Sequence, residues 1–320
     1  MATGICVLLL AGCAPQQEEN AEATEQLSGD YLGQTPPGDE PRLFAPGVVS
    51  TGMNERDMAI SPDGKEIFYT IQLGQIWALI NIRDVDGDWS VPEVAPFSGH
   101  YQDIEPFFAP DNSRLYFVSN RPLEAGDEAK EDYDIWYVDR DGDGWSEPVN
   151  LGAPVNTPDG NEFYPSVTSD GTIYWTATYA GGSEDLHRAR LVDGTYGERE
   201  TLGEAINTQG FEFNAYVSPD ESILIFSTAR RGDVGGGDLY ISFRNDDGTW
   251  SEAKNMGTDI NSATLDYCPF ISPDGRYFFF TSRRTEADPY PEDGISYADL
   301  VGMHLQPQTG QGDIYWMSAD

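Results

Sequence analysis

The stretch SPDGRYFFFTS, Ser272 to Ser282, decides the fold. Proline presets a turn dihedral, aspartate bonds its own backbone and glycine accepts positive φ, so Ser272 to Gly275 reads as a hairpin turn. The aromatic run after it reads as a buried strand. Four further segments repeat this grammar: SPDGKEIFYT from Ser61, APDNSRLYFVS from Ala109, TSDGTIYWTAT from Thr168 and SPDESILIFST from Ser218. Their starts lie 48, 59, 50 and 54 residues apart, a period that belongs to propellers and other arrays.

Working outward, each turn is preceded by a short strand such as EFYPSV and followed, after a variable loop, by a third strand: QIWALI at 75, DIWYVDR at 134, DLHRAR at 185, DLYISFR at 238 and DIYWMS at 313. An aromatic after a glycine-rich turn announces a fourth strand at Trp89, Trp145, Tyr196 and Trp250. The fifth unit lacks its fourth strand, and RLFAPGVVS from Arg42 belongs to no unit. The expectation is an all-β, five-bladed β-propeller over residues 41–320, four antiparallel strands per blade, closed by the N-terminal strand that completes the last blade. Composition agrees: of 320 residues, 34 are glycine and 21 proline, as a turn-rich strand protein requires.

These segments, with Phe117 to Arg121, Asp238 to Tyr240 and Trp145-Ser146-Glu147-Pro148, resemble the TolB-like, WD40-like β-propeller repeat family. The pairs Asn156 and Thr157, Asn207 and Thr208, and Asn261 and Ser262 match its inter-blade motif. The resemblance implies a binding scaffold, an accessory domain of a peptidase or a periplasmic interaction protein. No peptidase sequence follows the repeats. The first unit departs most, with Leu73 where others have Arg and Gln75 where others have Asp.

Residues 5–12, ICVLLLAG, form an apolar run too short to span a bilayer. With Cys13 they resemble the bacterial lipoprotein box, although no basic residue precedes the run. The resemblance implies a signal peptide at 1–12, acyl chains at Cys13 that anchor the protein stably, and, from Ala14, an outer-membrane lipoprotein of the cell envelope facing the periplasm or the cell surface. Residues 13–40 are polar and punctuated by Pro and Gly, which predicts a flexible tether. Cys6 leaves with the leader, so Cys268 remains without an intrachain partner.

Eighteen basic against 55 acidic residues give a formal net charge of -37, which excludes nucleic acid and anionic lipid as electrostatic partners. Basic partners and divalent cations stay open. Six residues before each turn stands a carboxylate, Glu55, Asp103, Glu162, Glu212 and Asp266, predicting a ring near one mouth of the channel. Arg121, Arg230 and Arg284 share one register after the second strand and are expected to clasp such carboxylates between neighbouring blades. Glu55 and Glu162 have no arginine at that register, which leaves a cation or basic-group site as the sharper possibility.

Glu105 breaks the repeat, and its counterparts Asp57, Tyr164, Asn214 and Cys268 all differ, as an asymmetric site requires. A glycoside hydrolase would draw an acid and a base from Asp103, Glu105, Glu162, Glu212 and Asp266. Asp139, Asp141 and Asp143 alternate like calcium-loop donors, but Asn150 stands where the distal glutamate belongs, so calcium is the one cofactor considered and binding there would be weak. His100, His187 and His304 are scattered, which argues against zinc. The long insert from Arg284 to Gln311 carries Ile295, Tyr297, Leu300, Val301, Met303 and Leu305, suited to capping the last blade, contacting a partner or covering the mouth. The expectation is a monomeric, lipid-anchored binding or scaffold module for an envelope protein or polysaccharide, with the hydrolase as its alternative.

Overall fold

All five turn motifs close hairpins. Ser61 Oγ donates to Asp63 Oδ1 at 2.6 Å, and Gly64 takes φ 71° while its N–H reaches the Ser61 carbonyl. Where the motif lacks glycine, Asn112 (φ 62°) and Glu221 (φ 59°) adopt the same left-handed geometry. The computed structural model describes residues 27–124, 126–158, 160–179, 183–229, 233–285 and 294–319.

Five antiparallel sheets stand around one axis as a five-bladed propeller. Their innermost strands are Glu55–Ile60, Asp103–Phe108, Gly160–Val167, Phe211–Val217 and Asp266–Ile271. Each touches its neighbours, so the ring is continuous. Second strands are Glu66–Leu73, Arg114–Ser119, Ile173–Tyr179, Ile223–Ala229 and Tyr277–Ser282; third strands are Ile76–Val85, Asp134–Asp141, Glu184–Ala189, Asp238–Phe243 and Asp313–Ser318. The closing strand, Arg42–Leu43, pairs antiparallel with the last third strand, Arg42 opposite Trp316 and Leu43 opposite Tyr315.

The fourth strands differ from the expectation in one respect. In the first four blades the strand is broken: the aromatic closes a hairpin beyond or on the tail of the third strand, and pairing resumes nearer its middle a few residues later. In blade one, Asp88–Trp89 pairs at Asp84 and Val85, then Glu93–Val94 pairs at Ile80 and Asn81. In blade two the two pieces are Gly144–Trp145 and Val149–Asn150.

Residues 27–40, expected as tether, fold onto the body. Leu32 is 1% exposed within the core, and Tyr31 stacks edge-on against Tyr277 at 4.8 Å. Trp89 Nε1 donates to the Gly29 carbonyl at 2.7 Å, and Ser318 N to that of Gly38. A hydrophobic leucine and tyrosine among polar residues explain the docking, because burying them removes apolar surface from water. Cys13 and the rest of 1–26 lie outside the described residues.

The insert contributes an α-helix, Tyr297–His304, started by a capping box between Ser296 and Asp299. None of its residues is buried; Tyr297 is 83% exposed and Leu305 67%. It does not cap blade five with an apolar face. A Cβ at Gly52 would stand 2.5 Å from the His304 carbonyl oxygen, so the helix end abuts the linker into blade one.

Candidate functional site: the propeller axis

The five carboxylates of the first layer are all fully buried. Each is held by the linker that enters its own blade. Thr51 donates N–H and hydroxyl to Glu55, Thr157 Oγ1 donates to Glu162 at 2.7 Å, and Thr208 Oγ1 to Glu212 at 2.6 Å. Ser98 Oγ reaches Asp103 at 2.8 Å and Ser262 Oγ reaches Asp266 at 2.8 Å. The two shorter side chains, the aspartates, also receive an arginine. Arg121 Nη2 donates to Asp103 at 2.7 Å and Arg284 Nη2 to Asp266 at 2.9 Å.

These clasps lie within a blade and not between blades. Each guanidinium also donates to a carbonyl of the incoming linker, Phe97 for Arg121 and Ile260 for Arg284, tying linker to blade. Arg230 lies outside the described residues. Burial pushes the carboxyls of Glu55 and Glu162 up to about 7 against the pull of their threonine bonds.

At four of the joints the residue before the Thr or Ser completes the joint, and at the fifth Ser98 does both tasks. Asn156 accepts from Ile135 N and donates to Ile135 O, both at 2.9 Å, mimicking a strand partner. Asn207 does so for Leu186 and Asn261 for Leu239. Serines take over at the two joints without Asn: Ser98 Oγ accepts from Leu79 N, and Ser50 Oγ donates to Ile314 O. The Asn-Thr pairs in the sequence signalled this role; the serine substitutes did not.

Two residues further in, the structure gathers the varied set. Asp57, Glu105, Tyr164, Asn214 and Cys268 each sit at a β-bulge with φ between 50° and 59°. Such values are rare outside glycine and mark strain held by the surroundings. The bulge turns all five side chains toward the axis. Arg56 Nε donates to Asp57 at 2.7 Å, and its Nη2 to Glu105 at 2.7 Å and to Cys268 Sγ at 3.5 Å. Cys268 Sγ donates to Asp57 Oδ1 at 2.6 Å, and the Tyr267 ring lies 5.0 Å beneath the guanidinium.

Glu105 accepts three bonds in all: Arg56 Nη2, Asn214 Nδ2 at 3.1 Å and Tyr164 N at 2.7 Å. The last has a specific cause. At three other blade junctions the N–H of the bulge residue donates to a threonine on the second strand of the preceding blade: Asp57 to Thr281, Glu105 to Thr70 and Asn214 to Thr176. Blade two carries Val118 at that register, with no hydroxyl to give, and Glu105 Oε2 reaches across in its place.

Burial pushes Glu105 up to about 7 although Arg56 beside it pulls down, and burial drives the Cys268 thiol well above its ordinary value. The thiol is thus a hydrogen-bonded member of a polar cluster. Both axial carboxylates, Asp57 and Glu105, are bridged by the one guanidinium of Arg56.

The calcium-like turn is disposed otherwise. Asp139 is bidentate to Arg114, at 2.7 and 3.2 Å, and among the described residues no three metal-ligating side chains come together. His187 is buried against Trp175, ring centroids 5.9 Å apart.

No protein-family model matches this sequence, and no curated protein does. Solved structures similar to the chain include TolB from Acinetobacter baumannii, at 16% identity and a TM-score of 0.46 over 83% of this chain and 57% of that one. A Dyadobacter fermentans protein described as of unknown function gives 14% identity and a TM-score of 0.48 over 77% and 80%. An endo-arabinase from Bacteroides thetaiotaomicron gives 14% and 0.45 over 82% and 99%. The chain spans 57% of the length of the TolB chain, and each of these likenesses is one of fold alone.

Proposed function

We propose that the chain is a binding module of the bacterial cell envelope, anchored through acylated Cys13, that holds an envelope protein or polysaccharide on the propeller. One observation supports this reading above others. Every first-layer carboxylate is engaged by the linker into its own blade, so the acidic repeat serves the frame and leaves the propeller faces to bind. A net charge of -37 suits a partner with basic groups and disfavours nucleic acid.

The glycoside hydrolase is the second reading. It is favoured by a carboxyl raised to about 7 at Glu105, a value fit for a general acid near neutrality. Against it stand the three hydrogen bonds already on that carboxylate and its burial.

One experiment separates the two. The full chain is screened against envelope glycans and envelope proteins, recording both retention and release of reducing ends. The expected outcome is retention with no release. Release that disappears in Glu105→Gln would replace the binding reading with the hydrolase.

A further inference from the structure

The end of the axis formed by the hairpin turns is open. A cavity of about 640 Å³ lies there, lined by side chains of all five blades. Its rim takes one residue from the tip of each turn: Pro62, Pro110, Ser169, Pro219 and Pro273. Serine at the third tip breaks the symmetry, since its N–H donates to the Pro219 carbonyl at 2.7 Å, a bond proline cannot make. The floor is aromatic, with Tyr216 6.4 Å from Phe107 and 5.9 Å from Phe270, ring centre to ring centre.

Of the five turn aspartates, Asp63, Asp111, Asp170, Asp220 and Asp274, Asp220 lines this cavity, while Asp63 and Asp274 line one adjoining pocket and Asp111 and Asp170 another. The serine or threonine of each turn donates to Oδ1: Ser61, Ser113, Thr168, Ser218 and Ser272 in the same order. Burial is the largest cause at Asp63 and Asp274 and raises them, but these bonds, backbone N–H donors and nearby cations together hold all five carboxyls below their ordinary range, so they are ionised at neutral pH. Four of them have a cation nearby: Arg276 lies 3.5 Å from Asp274, Lys65 and Arg140 act on Asp63, Arg190 acts on Asp170, and Arg114, bonded to Asp139, acts on Asp111. Asp220, the one in the cavity, is held low by hydrogen bonds from Ser218 and Ser222.

An apolar floor with a negative rim selects for a bulky apolar group carried beside a positive charge. We infer that this mouth receives a basic peptide segment of a partner protein, which inserts an aromatic side chain onto Phe107, Tyr216 and Phe270 and sets Lys or Arg against Asp220 at the rim. The inference rests on the binding-module reading and names the partner's chemistry and the face it uses. A second copy of this chain does not fit, because two bodies of charge -37 repel.

The test uses the full chain and fluorescein-labelled pentapeptides read by anisotropy: Gly-Lys-Trp-Lys-Gly, Gly-Glu-Trp-Glu-Gly and Gly-Lys-Ala-Lys-Gly. The first should bind at least about tenfold more tightly than either other, since each lacks one of the two contributions, and binding should weaken with salt. Ala319 lines the cavity and is exposed, so Ala319→Trp fills the mouth without disturbing the core and should abolish the preference. Asp220→Asn should weaken the basic peptide and leave the acidic one unchanged. Equal binding of the three peptides, undiminished binding by a folded Ala319→Trp chain, or competition by a neutral oligosaccharide in place of the peptide would overturn the inference. An envelope component retained equally by wild type and Ala319→Trp would sink this face while sparing the binding module; retention of nothing would sink both.

Discussion

Glu105 departs from its repeat for a reason that its neighbours supply. Val118, on the second strand of the same blade, lacks the hydroxyl that Thr70, Thr176 and Thr281 supply elsewhere. The carboxylate then accepts the orphaned Tyr164 N–H, and Arg56 compensates the charge. This makes a coupled prediction. Glu105→Ala should destabilise the protein by about 3 kcal/mol, since it strands a buried guanidinium and a backbone N–H. Val118→Thr alone should also destabilise, by about 1 kcal/mol, because its buried hydroxyl finds the Tyr164 N–H already donated to Glu105. Combined, Val118→Thr should recover part of the Glu105→Ala loss by giving Tyr164 N a new partner, a coupling of about 1 kcal/mol in urea unfolding. Strict additivity of the two would refute the exchange.

At the scale of elements, turn, hairpin and closure were legible because each rests on local chemistry with a fixed period. Pro-Asp-Gly makes its turn wherever it stands, and the unmatched Arg42 segment and the unfinished fifth unit pointed to each other. The carboxylate layer was legible as a register, and so were its arginines Arg121 and Arg284, but its hydroxyl partners were not. Ser50, Ser98 and Thr51 are ordinary residues until the linker brings them beside a third strand or a glutamate. The bulges were hidden for a like reason: a bulge leaves no mark in composition when Asp, Glu, Tyr, Asn and Cys all occupy it.

Residues 27–40 were misread because one leucine and one tyrosine in a polar stretch carry no periodicity. Leu32 nevertheless fills core space beside the last blade. Leu32→Ala should cost about 2–3 kcal/mol, the price of an unfilled buried leucine site. Chemical denaturation reads it directly; a tether would show no shift of the midpoint.

The whole molecule carries far more carboxylates than counter-charges, and the buried ones set its response to pH. Glu55, Glu105 and Glu162 are pushed up to about 7 and Asp313 to about 6, burial being the largest cause in each. A carboxyl whose folded value exceeds its unfolded value binds more protons when folded, so between the unfolded value near 4.5 and the folded value near 7 stability falls as pH rises. His187 opposes this. Burial lowers it to about 4, so acid charges the unfolded chain first and removes stability as pH falls from 6.5. Four carboxyls outweigh one imidazole across the shared window, and protonation also relieves the self-repulsion of a chain at -37. The turn aspartates, held low, lose their contribution only in stronger acid, near 3.8 and below. The thermal midpoint should therefore rise on going from about pH 8 to about pH 5.5 and fall again below about pH 4. Glu162→Gln, which keeps the acceptor for Thr157 without the charge, should flatten part of the rise. A midpoint that climbs steadily toward alkaline pH would mean that these carboxyls ionise freely in the folded protein, and that the first layer is wetter than its burial implies.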